Sequence, residues 1–501
     1  MNSSPNQLYA AIDLGSNSFH MLVVRVVAGS VQVLAKIKRK VRLASGLDTQ
    51  NQLSEEAMIR GWDCLRLFAE RLQDIPANNI RIVGTATLRV AANVEQFIAT
   101  AEQILDHPIQ IITGEQEAET IYQGVAHTSS GSGNQLVIDI GGASTELIVG
   151  QQYEPHILHS LNMGCVLFRE RYFAGGQLQQ SNFDAAISAA EALVAPLVVD
   201  YCAYGWQRCV GASGTVQALQ EVLLAQGYDE RITLPKLQRM MAQAVACGQL
   251  QALNIVGLSE ERKPVFVSGL AILIALFRKF GIEQMTTSGG ALREGIVYEM
   301  LGEQRQENVR QRTLAGLKQQ FRIDQPHATR VSELALALCQ QVAAPWQLED
   351  IELNELLASA AQLNEIGLLI GYQNAQQHAK YIIENATLPG FSNSQKLLLA
   401  NLLGQYQGPL DNACYEQLTG IEPTTAMRLT RLLRLAIIFC GRRQDSSVPE
   451  LSLTAEGETL SLQLSQPWLN SHPLVSSELQ QEACYTLKIG GELKLTAATG
   501  S

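Results

Sequence analysis

The chain has 501 residues, of which 46% are apolar and 17% are charged, and its formal net charge is −11. One hydrophobic core does not organise so long a chain, and the composition is that of an ordinary globular protein, so we expect roughly two to four domains. The negative charge argues against a general nucleic-acid-binding protein, because such affinity depends on many Lys and Arg residues.

Three further features bear on compartment and membrane contact. Residues 1–7 contain no basic segment followed by an apolar core, which argues against a signal peptide. The longest apolar run, residues 265–277, is too short to span a bilayer and predicts a buried helix. The nine cysteines include no C-x-x-C pair, which indicates reduced thiols. We therefore expect a cytoplasmic protein without a membrane partner.

A short motif occurs twice in the first third of the chain. Residues 12–18 are IDLGSNS and residues 138–144 are IDIGGAS, which keeps the Asp, the Gly and the Ser in register. Apolar runs flank both copies, so each predicts a strand, a tight glycine turn and a second strand. Such a turn leaves backbone N–H groups free for an anion, and glycine allows close approach. We predict that the two turns face each other and hold a chain of phosphates.

Strand and helix patterns alternate after the first motif copy. Ser54 is a plausible cap for a helix that extends to Leu72. Apolar patterns predict three strands, at residues 31–36, 80–83 and 109–112. The small residues 128–133 then form a break before the second motif copy, typical of a domain hinge. We therefore predict an α/β domain over residues 1–126.

The second motif copy opens another α/β domain, which we predict over residues 127–304. It contains a strand at residues 209–210 and glycine turns at residues 211–215 and 288–290. Leu-rich and Ala-rich helical periods then dominate, and they predict a helical domain over residues 305–445.

The last segment, residues 446–501, is predicted to be a small β-rich region. Two pairs of apolar runs flank glycine-containing turns, so we predict two hairpins. The paired runs are residues 451–454 with 459–464, and residues 485–489 with 492–495.

Phosphoryl transfer needs charge neutralisation, in-line positioning and a group that orients the nucleophile. The two glycine turns supply candidate phosphate ligands through their backbone N–H groups and serine hydroxyls: Gly15, Ser16, Asn17, Ser18, Gly141, Gly142, Ala143 and Ser144. Arg89 and Arg293 each follow a glycine-containing turn and could reach phosphates as well.

Carboxylates suitable for Mg²⁺ lie at the same motifs. Asp139 and Glu146 flank the second turn, and Asp13 ends the strand before the first turn. Mg²⁺ is commonly bound by one or two carboxylates together with substrate phosphates. Each of these side chains could equally cap a turn.

Glu117 is the best candidate for orienting a water molecule. Thr113 and Gln116 have the spacing of a capping box, so a helix begins here. Acidic residues in a first turn usually complement the helix dipole on a solvated face. Glu117, however, lies one helical turn before Ile121 at the edge of the apolar stripe, whereas Glu119 lies on another face. A carboxylate bordering the interior could deprotonate a water.

The scarce basic residues form two patterns. Lys36, Lys38, Lys40 and Arg42 alternate with mostly apolar residues, so a strand would place them on one face. That stripe suits a polyanion, although charges also protect edge strands from aggregation. Arg428, Arg431 and Arg434, three residues apart, are typical of a solvated helix face.

The helical domain contains Asn364-Glu365, followed by His378 and Tyr381, with His327 as its other histidine. A metal phosphohydrolase of the HD type would show a His–Asp pair, and Asn364 is a poor substitute for a histidine ligand. We interpret this constellation as a relic of the fold rather than a second active site.

Taken together, these motifs resemble the exopolyphosphatase and guanosine pentaphosphate phosphohydrolase (Ppx/GppA) family, within the acetate kinase, sugar kinase, Hsp70 and actin superfamily. The matching stretches are residues 11–21 (AIDLGSNSFHM), 84–89 (GTATLR), 114–118 (GEQEA), 137–147 (VIDIGGASTEL), 211–215 (GASGT), 289–295 (GGALREG), 388–391 (LPGF) and 431–439 (RLLRLAIIF). The resemblance implies two actin-like (ribonuclease H-like) α/β domains, an α-helical HD-like domain and a small β tail.

The branch that the chain resembles most acts on guanosine pentaphosphate (pppGpp). The resemblance implies removal of the terminal 5′-phosphate to give ppGpp in the stringent response, with Mg²⁺ and with some activity on polyphosphate. It assigns Glu117 as the base for water, Asp139 and Glu146 to the Mg²⁺ and phosphate site, and Arg89 to a phosphate. It also implies a homodimer. The family often has His-Glu where this chain has Asn364-Glu365, which weakens a catalytic role there.

Other functions fit the same residues. An exopolyphosphatase would use the same turns on a longer polyanion, and a kinase of the superfamily would need an acceptor pocket as well. From a different class, a non-catalytic sensor of alarmone or polyphosphate would bind without turnover. The intact set of Glu117, Asp139 and Glu146 argues against the sensor.

Overall fold

The structure is a computed structural model that describes residues 7–27, 30–131, 133–302, 308–444 and 448–498. The chain forms two compact units, which divide between Val309 and Arg310. The expected domain boundaries at 304/305 and 445/446, and Ser132 of the small-residue break, lie outside the described residues.

The first unit opens with a five-stranded sheet. Its elements are β1 (Leu8–Leu14), β2 (Ser18–Val27), β3 (Ser30–Lys40), α1 (Glu55–Leu72), β4 (Ile80–Gly84), α2 (Ala86–Val90), α3 (Val94–Leu105), β5 (Gln110–Ile111) and α4 (Gly114–Ala126). The strand order is β3-β2-β1-β4-β5, with β1, β2 and β3 antiparallel and with β4 and β5 parallel to β1. The three strands expected from the sequence are confirmed, although β5 has only two residues.

The expected helix caps are present. The Ser54 hydroxyl accepts a hydrogen bond from the Ala57 backbone N–H at the start of α1. At the start of α4, the Thr113 hydroxyl accepts from the Gln116 N–H at 3.1 Å, and the Gln116 side chain accepts from the Thr113 N–H at 2.9 Å. These bonds satisfy first-turn donors that a helix leaves unpaired, so the start of α4 is fixed locally.

A second five-stranded sheet repeats the first. Its elements are β6 (Asn134–Ile140), β7 (Thr145–Gln151), β8 (Glu154–Leu161), α5 (Cys165–Tyr172), α6 (Gln180–Val194), α7 (Val198–Tyr204), β9 (Arg208–Gly211), α8 (Gly214–Ala225), α9 (Leu234–Cys247), α10 (Lys263–Phe280), β10 (Thr286–Thr287) and α11 (Leu292–Leu301). The order β8-β7-β6-β9-β10 is that of the first sheet. The prediction of two related α/β domains is therefore confirmed, and the duplicated motif is part of a duplicated fold.

Two helices join the sheets into one unit. Helices α4 and α11 pack against each other, and apolar residues of both sheets and both helices form a common core: Ala11, Leu22, Ile121, Tyr122, Val137, Ile148 and Ile296. The two helices are in close contact at Gly124. A Cβ on this residue would lie 2.0 Å from the Ala291 carbonyl oxygen, so a larger residue does not fit there. This contact keeps the two motif copies in a defined arrangement.

The apolar helices of the second domain lie in its core. Every residue from Val265 to Phe277 is buried in α10, as the sequence predicted. One stretch, Gln180–Tyr204, is long and apolar enough by composition to cross a membrane, which alone is weak evidence because core helices pass the same test. Its residues Phe183, Ile187 and Tyr201 belong to the hydrophobic core around α10.

The second unit is a helical domain with a β tail. Its elements are α12 (Val309–Gln320), α13 (Gln325–Trp346), α14 (Ile351–Gln362), α15 (Ala375–Asn385), α16 (Asn393–Gly404), α17 (Ala413–Glu416), α18 (Pro423–Cys440), β11 (Ser452–Glu456), β12 (Thr459–Ser465), α19 (Gln466–Ser471), α20 (Pro473–Leu487) and β13 (Glu492–Ala498). Helices and tail share one hydrophobic core. The indole N–H of Trp346 donates to the Gly457 carbonyl at 2.8 Å, which ties α13 to the turn between β11 and β12.

One of the two predicted hairpins is correct and one is wrong. Strands β11 and β12 form the antiparallel hairpin expected around Glu456-Gly457. Residues 485–487, expected to be a strand, end helix α20, and β13 pairs in parallel with β12. The helical spacing of the buried residues Leu479, Glu482 and Thr486 outweighs the short apolar pattern near the C-terminus.

The interpretation of the α18 arginines as a solvated face is also wrong. Arg431 and Arg434 are buried beneath the β tail, with only 2% and 3% of their surface exposed. Arg434 donates to both carboxylate oxygens of Glu482 at 2.7 and 2.6 Å and to two backbone carbonyls. Arg428 forms an ion pair with Glu458. Helical spacing cannot distinguish this arrangement from a solvated face, because the acidic partners come from a distant segment.

We expect Arg434→Met to destabilise the second unit by about 3–5 kcal/mol, since the change leaves the Glu482 charge buried without its partner. Urea unfolding followed by far-UV circular dichroism measures this. The exposed pair Lys494–Glu492 offers a control, and Lys494→Met should cost no more than about 0.5 kcal/mol. The double variant Arg434→Met/Glu482→Leu should recover most of the loss, and equal loss in single and double variants would contradict the argument.

Candidate active site

The two glycine turns face each other, as the duplicated motif predicts. A Cβ placed on Gly142 would lie 3.2 Å from the Ser16 Cβ and 3.5 Å from the Asn17 backbone nitrogen. Helix α5 supports the second turn, because its first N–H groups, at Cys165 and Val166, donate to the Gly141 and Gly142 carbonyls at 2.9 and 2.8 Å.

Some of the candidate phosphate ligands in these turns already form hydrogen bonds within the protein, and others do not. The Gly141 N–H donates to the Ser144 carbonyl at 2.9 Å, so it is used within the turn. The Ser18 hydroxyl is buried and, among the described residues, has no hydrogen-bond partner. An unpaired buried hydroxyl is costly, and a phosphate oxygen near it would supply the missing partner.

Carboxylates from both motif copies converge beside the turns. Asp139 and Glu146 are cross-strand partners on β6 and β7. Burial raises the pKa of Asp139 to about 7, and the neighbouring Glu117 and Asp13 carboxylates add to the rise. Burial also raises the pKa of Glu146 well above its ordinary value, with repulsion from Glu117 and Asp139 contributing. The site therefore concentrates carboxyl groups whose ionisation is opposed by burial and by one another.

Glu117 lies at this cluster and is paired with Arg89. It is buried on the first turn of α4, as the sequence predicted. Arg89 NH1 donates to Glu117 Oε2 at 2.8 Å and to the Ile112 carbonyl at 2.9 Å. Burial raises the Glu117 pKa to about 7 although Arg89 opposes the rise. A carboxylate with a pKa near neutrality is suited to accept a proton from water.

Two residues of the site were not identified from the sequence. His20 Nδ1 lies 3.4 Å from Asp13 Oδ2, and burial lowers the His20 pKa. His20 could have been found from the sequence, because pairing of β1 with β2 places it opposite Asp13. The Ser160 hydroxyl donates to Glu146 Oε1 at 2.7 Å. Nothing in the sequence around Ser160 indicated this bond, which depends on the register between β7 and β8.

The lysines of β3 share one face of the strand, as expected, but the stripe ends at Lys40. Lys38 and Lys40 are cross-strand partners of His20 and Ser18, and Lys36 lies on the same side of β3. Arg42 lies beyond the end of β3, with a φ of 53°, so it does not continue the stripe. β3 is an edge strand of its sheet. Both interpretations of the stripe therefore stay open.

Contacts to the second domain engage part of this stripe. Lys36 Nζ lies 3.2 Å from Glu294 Oε1, and Lys40 Nζ donates to the Glu261 carbonyl at 3.1 Å. Burial lowers the Lys38 pKa, and the nearby Arg262 and Arg293 contribute. Arg293 also acts electrostatically on Asp139. The cluster of carboxylates is thus met by one arginine from each domain, Arg89 at Glu117 and Arg293 near Asp139.

No closed metal site is preformed among the described residues: no three His, Cys, Asp or Glu side chains are grouped so that they could hold an ion alone. This arrangement is compatible with Mg²⁺, which commonly keeps several waters and binds one or two carboxylates plus substrate phosphates. Asp139 and Glu146 are the residues that fit best. Asp13 lies opposite and is engaged by His20.

The residues Asn364, Glu365 and His327 of the second unit are engaged in contacts with one another and with neighbouring residues. The Asn364 side chain is buried and donates to the Ala361 carbonyl at 2.6 Å. Glu365 forms an ion pair with Arg443, and His327 Nε2 lies 3.9 Å from Glu365 Oε1. The interpretation of this constellation as a relic of the fold stays a prediction.

Comparison with known proteins identifies relatives over the whole chain. Models of the Ppx/GppA phosphatase family and of its domain III match residues 22–304 and 309–483. Proteins named guanosine-5′-triphosphate,3′-diphosphate pyrophosphatase from Aeromonas salmonicida and Aeromonas hydrophila are each 52% identical over 498 residues, which cover 99% of this chain and 100% of theirs.

Solved structures match about three fifths of the chain. An exopolyphosphatase from Cytophaga hutchinsonii is 25% identical, with a TM-score of 0.54, over 59% of this chain and 98% of its own. A Ppx/GppA family member from Aquifex aeolicus is 21% identical, with a TM-score of 0.51, over 60% of this chain and 99% of its own. Together with the repeated sheets, these matches confirm the expected actin-like fold.

We expect the free energy of unfolding of the first unit, in a chelator, to fall as the pH rises from about 5 to about 7. The folded-state pKa of Asp139 lies above its ordinary value, so in this window the folded protein holds a proton that the unfolded chain has released. Each such carboxyl contributes a slope of up to about 1.4 kcal/mol per pH unit.

Asp139→Asn should flatten this slope by the contribution of one carboxyl. The exposed Asp184 provides the control, and Asp184→Asn should leave the slope unchanged. Denaturant titrations at several pH values measure the slope. An Asp139→Asn variant with the wild-type slope would show that this carboxyl is ionised in the folded protein.

Proposed function

Since the chain belongs to the Ppx/GppA phosphatase family, we propose that it removes the terminal 5′-phosphate of pppGpp, giving ppGpp and orthophosphate. The observation that carries this proposal is the 52% identity, over 99% of the chain, to proteins named guanosine-5′-triphosphate,3′-diphosphate pyrophosphatase. The reaction would adjust the two alarmones of the stringent response.

We assign Glu117 as the general base. The oxygen of a water attacks the terminal phosphorus, and the water proton passes to the Glu117 carboxylate. The bond between that phosphorus and the bridging oxygen breaks, and the charge left on this oxygen remains on the 5′-diphosphate of ppGpp. Support comes from the burial of Glu117, from its pKa near 7 and from its place beside Asp139 and Glu146. Arg89 orients Glu117 and supplies a positive charge for a phosphate.

The facing turns would hold the phosphates. We assign Ser16, Asn17 and Ser18 to one side and Gly142, Ala143 and Ser144 to the other, with Gly15 and Gly141 shaping the turns and with Arg293 nearby. Asp139 and Glu146 would hold Mg²⁺, with Asp13 opposite. When bound, the ion would neutralise phosphate charge.

Exopolyphosphatase activity is the alternative. A linear polyphosphate has the same terminal anhydride, and the Lys36, Lys38 and Lys40 stripe suits a long polyanion. We expect it as a side activity. A sensor that binds alarmone or polyphosphate without turnover would not need a buried carboxylate with a pKa near neutrality.

We further propose a cytoplasmic homodimer without nucleic-acid or membrane partners. The nine cysteines are all free thiols, as expected in a reducing compartment. The net charge of −11 gives no general affinity for nucleic acid. The dimer rests on the family resemblance.

The first test is phosphate release with Mg²⁺ from pppGpp, long-chain polyphosphate, ATP and GTP at matched concentrations. We expect the highest kcat/KM for pppGpp, with ppGpp as product, and no release after chelation of the metal. A higher kcat/KM for polyphosphate would favour the alternative. No release from any of the four would favour the sensor.

We expect Glu117→Gln to lower kcat by about 100-fold to 10,000-fold, because general base catalysis typically contributes that much. Binding of pppGpp should change little. Glu119→Gln is a matched control, since Glu119 is exposed on the same helix and should leave kcat within about twofold. Equilibrium binding and single-turnover rates separate the two effects, and lost binding with unchanged turnover would refute the assigned role.

A further inference from the structure

Ser160 on β8 contacts both halves of the proposed active site. Its hydroxyl donates to Glu146 Oε1 at 2.7 Å, and β7–β8 pairing places the two residues directly opposite each other. Glu146 is almost fully buried, so this oxygen has little access to water. An unpaired oxygen at such a position is costly, and the Ser160 hydroxyl satisfies it.

The other side of Ser160 packs against the start of α4. A Cβ on Gly114, the first residue of α4, would lie 2.6 Å from the Ser160 Cβ and 2.9 Å from its Oγ. Both distances are shorter than any ordinary contact. Gly114 is therefore required here for close approach, since its φ is not positive.

The start of α4 has few other ways to adjust. The Thr113–Gln116 capping box fixes where the helix begins, and Glu117 follows within the first turn. The bond from Arg89 to Glu117 fixes the direction of that carboxylate. A shift of Gly114 away from Ser160 would therefore move Glu117 with it.

We propose that Ser160 is a positioning residue that fixes the distance between Glu117 on α4 and Glu146 on β7, an inference that rests on the proposed function. One small side chain performs both tasks. Its Cβ limits how closely α4 approaches β8, and its hydroxyl holds the Glu146 carboxylate. Serine fits both requirements, because alanine lacks the donor and threonine adds a methyl group at a crowded contact.

The steric contact is tested with Gly114→Ala, Ser160→Gly and their combination. Misplacement of a reacting group by about 1 Å can cost about 100-fold in rate. We expect Gly114→Ala to lower kcat for pppGpp by at least about 10-fold in the wild-type background. In the Ser160→Gly background, Gly114→Ala should lower kcat by less than about twofold, because the Cβ and Oγ atoms of Ser160 are both absent. KM should change little, since the phosphate turns are untouched.

The hydrogen bond is tested with Ser160→Ala, which keeps the space and removes the donor. Binding of Mn²⁺ to the substrate-free protein, measured by electron paramagnetic resonance, should weaken by about 10-fold. Gly114→Ala should leave Mn²⁺ binding within about twofold. Gly175→Ala is the control for adding a methyl group, because nothing lies near that glycine.

The outcomes separate this inference from the proposed function. A wild-type protein inactive on every phosphate substrate would overturn the proposed function and this role with it. An active wild-type protein in which Gly114→Ala costs the same in both backgrounds would overturn only the steric part. Unchanged Mn²⁺ binding in Ser160→Ala would overturn only the part that concerns Glu146.

Discussion

The burial of several like charges at one point is the constraint on which the rest of the structure depends. Glu117 and Glu146 are buried, Asp139 is half-buried beside them, and desolvation raises the pKa of each. Once ionised, such a cluster opposes folding unless a cation neutralises it, so strong packing must hold it in place. The common core of both sheets with α4 and α11 provides that packing. The fold therefore stabilises a site that would be unfavourable by itself.

Glycine determines how closely the parts of this framework approach. Gly124 allows α4 to touch α11, and Gly114 allows the start of α4 to touch Ser160. In both places a side chain would force the backbone away. Because α4 carries Glu117 in its first turn, these two contacts at opposite ends of one helix fix the position of Glu117. The apolar stripe of α4 alone would fix which side of the helix faces the core, but not how closely the helix approaches its neighbours.

Local patterns predicted much of the fold. The duplicated motif, the Ser54 cap, the Thr113 capping box and the buried run in α10 all depend on neighbours in the chain, and all were predicted correctly. The errors concern distant partners. Arg434 was predicted to be solvated, because its partner Glu482 lies far along the chain. The second hairpin was predicted wrongly, because the helical spacing of buried residues such as Leu479 outweighed a short apolar pattern. Ser160 was missed because its place opposite Glu146 depends on the register between β7 and β8. His20, in contrast, lies opposite Asp13 within the first predicted pair of strands and was overlooked.

The duplication also explains why the two halves of the site differ. Asp13 and Asp139 occupy the same place in their sheets, but the cross-strand partner of Asp13 is His20 whereas that of Asp139 is Glu146. His20 Nδ1 lies 3.4 Å from the Asp13 carboxylate, whereas Asp139 has a second carboxyl group beside it, at Glu146. One side chain on each second strand thus divides the roles. In the mechanism that we propose, Asp13 of the first copy would face the phosphates, and the second copy would offer the pair of carboxylates that holds Mg²⁺.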